Sequence, residues 1–287
     1  MPYSQLNLGK INYLNCWPLF QQLPEALAND RFNLISGHPA HLNAGLKDGR
    51  IDISPSSSML LAHDNADDDY FVLPDITIAS LTEVRSVILL SRTPLHQLNH
   101  STISLTNQSL TSIFLLKIIL FHFQKLNPDS ISFTNGEFST DDFQPDAALI
   151  IGDQALKLYH NPPPGYKVYD LGQLWHEFTR LPFVYALWIG RKSILQGKSG
   201  IIIDLHQALK KIITGLPDQL PELTAAALIE TDNRAGITPA QLTSYWQKAI
   251  SYKLDYTART GLDLFYRLSQ KMGLIKQVPK LEFFPKI

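Results

Sequence analysis

The sequence predicts an α/β protein of two lobes with a ligand cleft between them. Strand-like and helix-like segments alternate along the first third of the chain, and the alternation starts again after Arg92. A late apolar segment at residues 181–190 can then return the chain to the first lobe. With 287 residues, the chain has enough length for two hydrophobic cores of about 140 residues each.

The first third of the chain reads as repeated β-α units. Residues 8–14 alternate well enough for a strand, and Asn15 and Pro18 then break the pattern before a helix. Such units predict a largely parallel sheet with helices on both faces. In chain order we predict a strand at 8–14, a helix at 19–28, a strand at 31–36, a helix at 41–49 and a strand at 51–54.

The middle and the end of the chain complete the predicted lobes. Continuous apolar runs at residues 70–79 and 84–91 are typical of strands that are buried on both faces. Thr238 and Pro239 suit the cap and first turn of a helix. Further predicted elements are strands at 101–106, 130–134, 147–151 and 181–190, and helices at 109–124, 201–214, 225–230, 239–252 and 256–272.

These patterns predict two lobes, one of them discontinuous. Residues 1–91 and 189–287 form the first lobe, and residues 92–188 form a second lobe inserted into it. This is the architecture of type II periplasmic binding proteins. The ligand is then expected in the cleft between the lobes, where strand ends and helix N-termini converge.

Composition favours a small-molecule partner. Hydrophobic residues make up 45% of the chain, and 25 Lys and Arg against 26 Asp and Glu give a net charge of −1. A nucleic-acid or anionic-membrane protein would need a basic surface, so neither partner is expected. The apolar run at residues 112–123 is shorter than the roughly 20 residues of a membrane span. Because the N-terminal residues lack a signal-peptide pattern, we expect a cytoplasmic protein.

Two turns rich in hydroxyl side chains open helices, at residues 54–58 and 106–112. Free backbone N–H groups and the positive end of a helix dipole favour a carboxylate at such a turn. Plain N-capping uses the same residue types, so a single turn indicates a cap first. Two turns on opposite lobes suit a ligand with two carboxylates. Arg85 is the candidate cation, with a structural ion pair as the alternative.

Other residues give weaker indications of a site. Asn15 can donate and accept hydrogen bonds at the end of a strand, although asparagine is also a common turn residue. Cys16, the single cysteine, has no recognisable histidine partner that would make it a nucleophile. Histidine pairs at 38/41 and 96/100 lack companion ligands, so no metal site is predicted. Aromatic residues that suit either a pocket wall or the core are Tyr13, Trp17, Phe183, Tyr185 and Trp188.

Several motifs follow one another in a recognisable order along nearly the whole chain. GKINYLN stands at residues 9–15, DISP at 52–55, RSV at 85–87, SLTS at 109–112 and LPFVYALW at 181–188. This ordered set resembles the chorismate dehydratase family, which catalyses the first step of the futalosine route to menaquinone. The sister family of 1,4-dihydroxy-6-naphthoate synthases typically has a Ser-Pro-Cys-Pro-Asn-Asp-like turn after its first strand. The YLN sequence occupies that place here and favours the dehydratase.

One position departs from the family pattern. Arg180 stands where the family more often has glycine before Leu-Pro-Phe. A bulky cation at this position is expected to alter the edge of the cleft.

The resemblance implies a hydro-lyase that eliminates water from chorismate and gives 3-[(1-carboxyvinyl)oxy]benzoate without a cofactor. It implies chorismate as the partner, no nucleic acid or membrane, and a monomer or homodimer. The naphthoate synthase and a non-catalytic solute-binding or sensor protein stay open as alternatives. Asn15 is implied as the catalytic residue. The residues implied to bind substrate are Ser56, Ser57, Arg85, Ser86, Ser109, Thr111 and Ser112, with Phe183 and Tyr185 at the pocket wall or hinge.

The sequence offers no obvious general base for this reaction. Asp153 follows a strand of the second lobe, and His176 and Glu177 lie on a helix near it, but each suits a structural role better. We therefore hypothesise that the enolpyruvyl carboxylate of chorismate itself takes the C3 proton. Asn15 and the serine turns would hold the substrate in position for this transfer.

Overall fold

The computed structural model describes residues 5–27, 31–62, 69–136, 138 and 145–285. Within these ranges, none of the helices combines the length and hydropathy that a bilayer crossing requires. In chain order the elements are β1 (Leu6–Ile11), α1 (Trp17–Ala26), β2 (Phe32–Gly37), α2 (Pro39–Asp48), β3 (Ile53–Ser57), β4 (Tyr70–Ser80), β5 (Val87–Ser91), β6 (Thr102–Leu105), α3 (Leu110–Lys117), β7 (Ser132–Asn135), β8 (Ala147–Ile151), α4 (Gly152–His160), β9 (Lys167–Asp170), α5 (Leu171–Thr179), β10 (Phe183–Arg191), α6 (Leu195–Glu230), α7 (Pro239–Ser244), β11 (Ser251–Leu254) and α8 (Tyr256–Lys271).

The strands form two sheets of mixed direction. Strand order is β11-β4-β10-β3-β1-β2 in the first sheet and β7-β6-β8-β5-β9 in the second. β1 pairs in parallel with β2 and β3, but β10 runs antiparallel to both β3 and β4. The expectation of largely parallel sheets is therefore wrong for these strands. β10 enters its sheet directly from the other lobe, so no crossover helix forces it into parallel alignment.

The chain passes between the two sheets at residues 81–86 and 180–182. The boundaries predicted from sequence put Val87–Ser91 in the first lobe and most of Phe183–Arg191 in the second. Strand pairing places each of these strands in the other sheet. Both strands are apolar runs that cross the boundary without a change in composition, so hydropathy carries no signal there. We propose that the lobes divide at these two crossings.

Strand β5, in the second sheet, is buried on both faces, as its continuous apolar pattern predicts. Val87 and Leu89 belong to the main hydrophobic core, which is continuous between the lobes. Ile88 and Leu90 point to the opposite face and pack in a smaller cluster with Ile150 and other residues. Alternate side chains of a strand point to opposite faces, so β5 joins both clusters.

Two predictions of helices in the last third need correction. The predicted helices at 201–214 and 225–230 are parts of one helix, α6, which contains Pro217 and Pro221. The helix predicted over residues 239–252 ends too late, because residues 251–254 form β11 and pair antiparallel with β4. The edge of the first sheet is open at β4, and the backbone pairing it offers outweighs the local helical pattern.

Asp170 anchors the first crossing between the lobes. Its Oδ2 accepts hydrogen bonds from the backbone N–H groups of Val84 at 3.0 Å and Arg85 at 2.6 Å. Its Oδ1 caps α5 by accepting from the N–H of Gln173 at 3.0 Å. Arg85 has φ +59°, the left-handed backbone conformation, so the turn is strained and needs this support. One buried carboxylate thus ties the crossing segment to the second lobe.

We expect the stability of the protein to depend on the protonation of Asp170. Burial raises the pKa of Asp170 to about 6 and outweighs the three backbone N–H groups, which act to lower it. The folded protein then binds a proton at higher pH than the unfolded chain, where an aspartate has a pKa of about 3.9. The contribution of this group to stability therefore rises as the pH falls from about 6 to about 4.

Denaturant unfolding of the wild type and Asp170→Asn at about pH 7.5 and about pH 5 measures this effect. On going from the higher to the lower pH, the free energy of unfolding of the wild type should rise by about 1 kcal/mol more than that of the variant. An equal pH dependence in the two proteins would contradict the assignment.

Candidate active site

The turn after β1 is held in place by side chains that are distant in sequence. Trp246 Nε1 donates to the carbonyl of Leu14 at 2.8 Å, and the hydroxyl of Tyr252 donates to the carbonyl of Asn15 at 2.6 Å. The N–H of Leu14 donates to Oδ1 of Asp153 at 2.9 Å. The Oδ1 atom of Asn15 is buried without a partner among the described residues. A fixed backbone with an unpaired side-chain acceptor is typical of a group that awaits a ligand.

Asn15 faces a small pocket between the two sheets, which we call the inner pocket. Its volume is about 50 Å³, room for only a few water molecules. Most of the polar residues that line it are residues that the sequence predicts for the site. The predicted residues at the inner pocket are Asn15, Ser57, Ser86, Ser109, Ser112 and Tyr185, and apolar walls come from Ile11, Ile78, Val84, Val87, Ile151 and Ile250.

The two hydroxyl-rich segments meet across the cleft, although the predicted turn at residues 54–58 is wrong because residues 54–57 belong to β3. Ser57 Oγ, at the end of β3, lies 2.6 Å from Oγ1 of Thr111 in α3. Ser109 Oγ accepts a hydrogen bond from the N–H of Ser112 at 3.3 Å and so caps α3. Ser109 therefore serves as an N-cap and lines the inner pocket as well. The N-cap that the sequence left open for this turn is therefore confirmed, and anion binding at the turn stays a prediction.

Ser86 and Tyr185 line the inner pocket next to the crossings between the lobes. The hydroxyl of Tyr245 donates to Ser86 Oγ at 2.8 Å, which fixes the serine side chain. The ring of Tyr185 packs on Phe183 with centroids 4.7 Å apart, and its hydroxyl is buried. Burial raises the pKa of Tyr185 well above its usual value, so this hydroxyl stays neutral.

Four predicted site residues do not line the inner pocket. Thr111 is fully buried behind Ser57, and Ser56 points to the opposite face of β3 because strand side chains alternate. Phe183 packs in the core with its ring centroid 5.2 Å from that of Trp175, so it is not the predicted pocket wall. It directly follows the crossing at residues 180–182, and its alternative role at a hinge stays a prediction. The fourth residue, Arg85, is involved in an ion pair.

The guanidinium of Arg85 is neutralised by a neighbour. Its Nε donates to Oε1 of Glu83 at 2.8 Å, and Nη1 donates to Ser244 Oγ at 3.0 Å. Its side chain is 10% exposed and lines neither cavity. The structural ion pair, the alternative that the sequence left open, is the arrangement observed. Arg85 is therefore not placed to meet a ligand carboxylate.

A larger outer cavity of about 640 Å³ lies beside the inner pocket. Tyr13 belongs to both cavities, and its hydroxyl donates to Oε1 of Gln108 from the other lobe. This hydrogen bond stands between the two spaces. The outer cavity is mostly polar, with Asn12, Asn107, Gln108, Asp153, Gln154 and Arg234 among its lining residues. Sequence reasoning missed Arg234, which lies in a loop without any motif.

Two of the three candidate bases of the second lobe, Asp153 and Glu177, are engaged elsewhere, and the third, His176, lines neither cavity. Asp153 accepts from the N–H of Leu14 and, at 2.5 Å, from Nε of Arg234. Burial raises the pKa of Asp153, and both hydrogen bonds act to lower it. Glu177 accepts from Gln173 Nε2 at 2.8 Å on the exposed side of α5. Cys16 is buried, and burial raises the pKa of its thiol far above the usual range, so it is no thiolate nucleophile.

The family profile described as menaquinone biosynthesis matches residues 6–271 of the chain. The chain belongs to this family. It is 31% identical over 284 residues to a chorismate dehydratase of Thermus thermophilus, covering 93% of this chain and 95% of that protein. It is 27% identical over 270 residues to a chorismate dehydratase of Campylobacter jejuni, covering 93% of this chain and 98% of that protein.

Solved structures confirm the fold of this family member. The alkanesulfonate-binding protein SsuA of Xanthomonas axonopodis pv. citri has a TM-score of 0.73 at 13% identity, covering 97% of this chain and 96% of that one. A protein of Archaeoglobus fulgidus has a TM-score of 0.72 at 15% identity, covering 94% and 98% of the two chains. At such low identity these likenesses show the fold alone, which is the two-lobed fold of periplasmic binding proteins.

The structure explains the departure at Arg180 from the menaquinone-biosynthesis family pattern. Arg180 ends α5 with φ +61°, the left-handed conformation that glycine adopts most easily. Its side chain is exposed and lines neither cavity. The expectation that it alters the edge of the cleft is therefore unsupported, because the position is a helix end.

We expect Arg85→Ala to lower the free energy of unfolding by about 2 kcal/mol, since it leaves the half-buried Glu83 without its cation. Arg50→Ala is the matched control, because Arg50 also pairs with an acid two residues earlier, Asp48, but both side chains are about half exposed. The control should change the free energy by less than about 0.5 kcal/mol. Denaturant unfolding measures both values, and equal effects would contradict a structural role for the Arg85 pair.

Proposed function

We propose that this protein is a chorismate dehydratase, a hydro-lyase that converts chorismate into 3-[(1-carboxyvinyl)oxy]benzoate for menaquinone synthesis. The observation that carries the proposal is the likeness to the Thermus thermophilus chorismate dehydratase over 93% of this chain. The inner pocket supports it, because amide and hydroxyl groups from both lobes converge on one small space. We further propose that the protein acts in the cytoplasm as a monomer or homodimer.

The proposed reaction makes modest demands on the protein. Chorismate loses the proton on C3 and the hydroxyl on C4 as water, and its ring becomes aromatic. The aromatic product makes the elimination strongly favourable. The site therefore has to orient the substrate and assist one proton transfer, which positioned polar groups can do.

Chorismate carries two carboxylates, and the inner pocket offers neutral donors for them. Of the described residues that line it, none is a lysine or an arginine. Ser109 and Ser112 stand at the N-terminus of α3, where unpaired backbone N–H groups and the helix dipole favour an anion. Asn15 and Ser57 supply further hydrogen bonds from the opposite lobe. We propose that these groups replace the arginine expected from the sequence.

The lining of the inner pocket also supports the substrate-assisted route. No aspartate, glutamate or histidine lies among the described residues that form its wall. Asp153, a carboxylate that the sequence suggests as a candidate base, uses both oxygens in hydrogen bonds. We propose that the enolpyruvyl carboxylate takes the C3 proton, with Asn15 holding the reacting part of the substrate.

Substrate entry requires the lobes to part. A pocket of about 50 Å³ cannot hold chorismate, whose ring carries two carboxylate-bearing positions. The outer cavity of about 640 Å³ is large enough and adjoins the inner pocket at Tyr13. We propose that the hydrogen bond between Tyr13 and Gln108 breaks as the substrate passes from the outer cavity into the inner pocket.

Incubation of the purified, chelator-treated protein with chorismate tests the proposal. Mass spectrometry should show the loss of one water and ultraviolet absorbance a benzoate-type product, well above the uncatalysed rate. Tight chorismate binding in calorimetry without turnover would point to a sensor instead. A protein that neither binds chorismate nor converts it would overturn the proposal, in favour of the naphthoate synthase or another ligand.

Asn15→Ala should slow the conversion of bound substrate more than it weakens substrate binding. Loss of one group that orients the reacting atoms typically lowers kcat by about 100-fold, and we expect KM to change by less than about threefold. Asn33→Ala is the control, because Asn33 is exposed on β2 outside both cavities. Steady-state kinetics measures both variants. Full turnover by Asn15→Ala would remove Asn15 from the catalytic assignment.

A further inference from the structure

Asp153 and Arg234 belong to none of the motifs that the sequence analysis singled out, yet both form hydrogen bonds with the segment that carries Asn15. We propose that the two residues form a clamp between the lobes and act as positioning residues, which set the place of Asn15 in the closed cleft. The catalytic part of this inference rests on the proposed function.

The clamp holds the turn after β1 at two points. The carboxylate of Asp153 accepts the N–H of Leu14 at 2.9 Å on Oδ1 and Nε of Arg234 at 2.5 Å on Oδ2. Nη2 of Arg234 donates to the carbonyl of Asn12. A donor and an acceptor of the same backbone turn are therefore satisfied by one ion pair, and Asn15 follows directly.

The ion pair joins parts of the chain that belong to different lobes. Asp153 lies in the first turn of α4, which follows β8 of the second sheet. Leu14 follows β1 of the first sheet, and Arg234 follows α6, which packs on the first lobe. These hydrogen bonds can therefore exist only while the cleft is closed. Closure and the placement of Asn15 are coupled through the same atoms.

The residue before Asp153 connects the clamp to Ser86, which also lines the inner pocket. The N–H of Gly152 donates to the carbonyl of Ser86 at 2.9 Å. Gly152 has φ +70°, and a Cβ there would lie 2.8 Å from the Tyr13 ring, so the backbone at Gly152 packs directly on Tyr13. Gly152 and Asp153 together thus contact Ser86, Tyr13 and the clamped turn.

The chain contains a matched ion pair for comparison. Asp52 Oδ2 accepts the N–H of Asn7 at 2.8 Å and Nζ of Lys198 at 2.6 Å. Its side chain is 6% exposed, against 11% for Asp153. It likewise joins a backbone N–H near β1 to a cation. All three of its groups belong to the first lobe, however, and none lines either cavity.

Hydrogen–deuterium exchange tests the clamp without any substrate. In Asp153→Asn and Arg234→Gln, amides of residues 12–16 should exchange about tenfold faster than in the wild type, because the Leu14 acceptor is weakened. Asp52→Asn should speed exchange near Asn7 and leave residues 12–16 unchanged. Arg234 is 47% exposed, so its variant should keep the fold if the Asp153 variant fails to do so. Unchanged exchange of residues 12–16 in Arg234→Gln would overturn the clamp.

Steady-state kinetics with chorismate tests the positioning role. Asp153→Asn should lower kcat by about tenfold or more with KM within about threefold, since a small misplacement of an orienting group is costly. Arg234→Gln and the double variant should lose about as much as Asp153→Asn alone, because the pair acts as one unit.

The control variant separates positioning from plain stability. Asp52→Asn should lower Tm but keep kcat within about twofold, as expected for a site remote from the pocket. Faster exchange of residues 12–16 with unchanged kcat would overturn the positioning role. An inactive wild type would refute the proposed function, while the exchange experiment would still decide whether the clamp exists.

Discussion

The turn that follows β1 must satisfy its backbone hydrogen bonds inside a cleft, and the rest of the site depends on this requirement. Buried N–H and C=O groups are costly without partners. Partners come from a buried carboxylate of the second lobe and from Trp246 and Tyr252 near the end of the chain. The two ends of the chain and the inserted lobe thus meet at one turn. This arrangement fixes the position of Asn15.

Electrostatics of the site follow from the absence of paired charge at the inner pocket. The cations near the cleft have acidic partners, since Arg85 pairs with Glu83 and Arg234 with Asp153. Hydroxyl groups and the start of α3 are left as the donors for an anion. Neutral donors recognise carboxylates through directional hydrogen bonds, and the helix dipole adds an electrostatic attraction. Directional recognition suits a reaction that depends on the orientation of one substrate.

Much of the polar lining was predictable because its residues stand in local patterns. Ser57 stands in a run of serines after a predicted strand, and Ser109 opens an apolar helix, so each has a signature that a single sequence shows. Arg85 was misjudged for the opposite reason. Its partner Glu83 is only two residues away, but no pattern indicates whether that acid or a ligand takes the guanidinium. The edge strand β11 was missed because β4, its partner, lies far away in sequence.

The sequence by itself determined the α/β class, the order of most strands and helices, and the family to which the chain belongs, because periodicity and motifs are local properties. The tertiary structure decided which strands share a sheet, where the chain crosses between the lobes, and which polar groups remain without partners. These depend on contacts such as that between Asp153 and Leu14, which are 139 residues apart. Local patterns carry no record of such distant partners, since the energy of each contact appears only when folding brings both groups together.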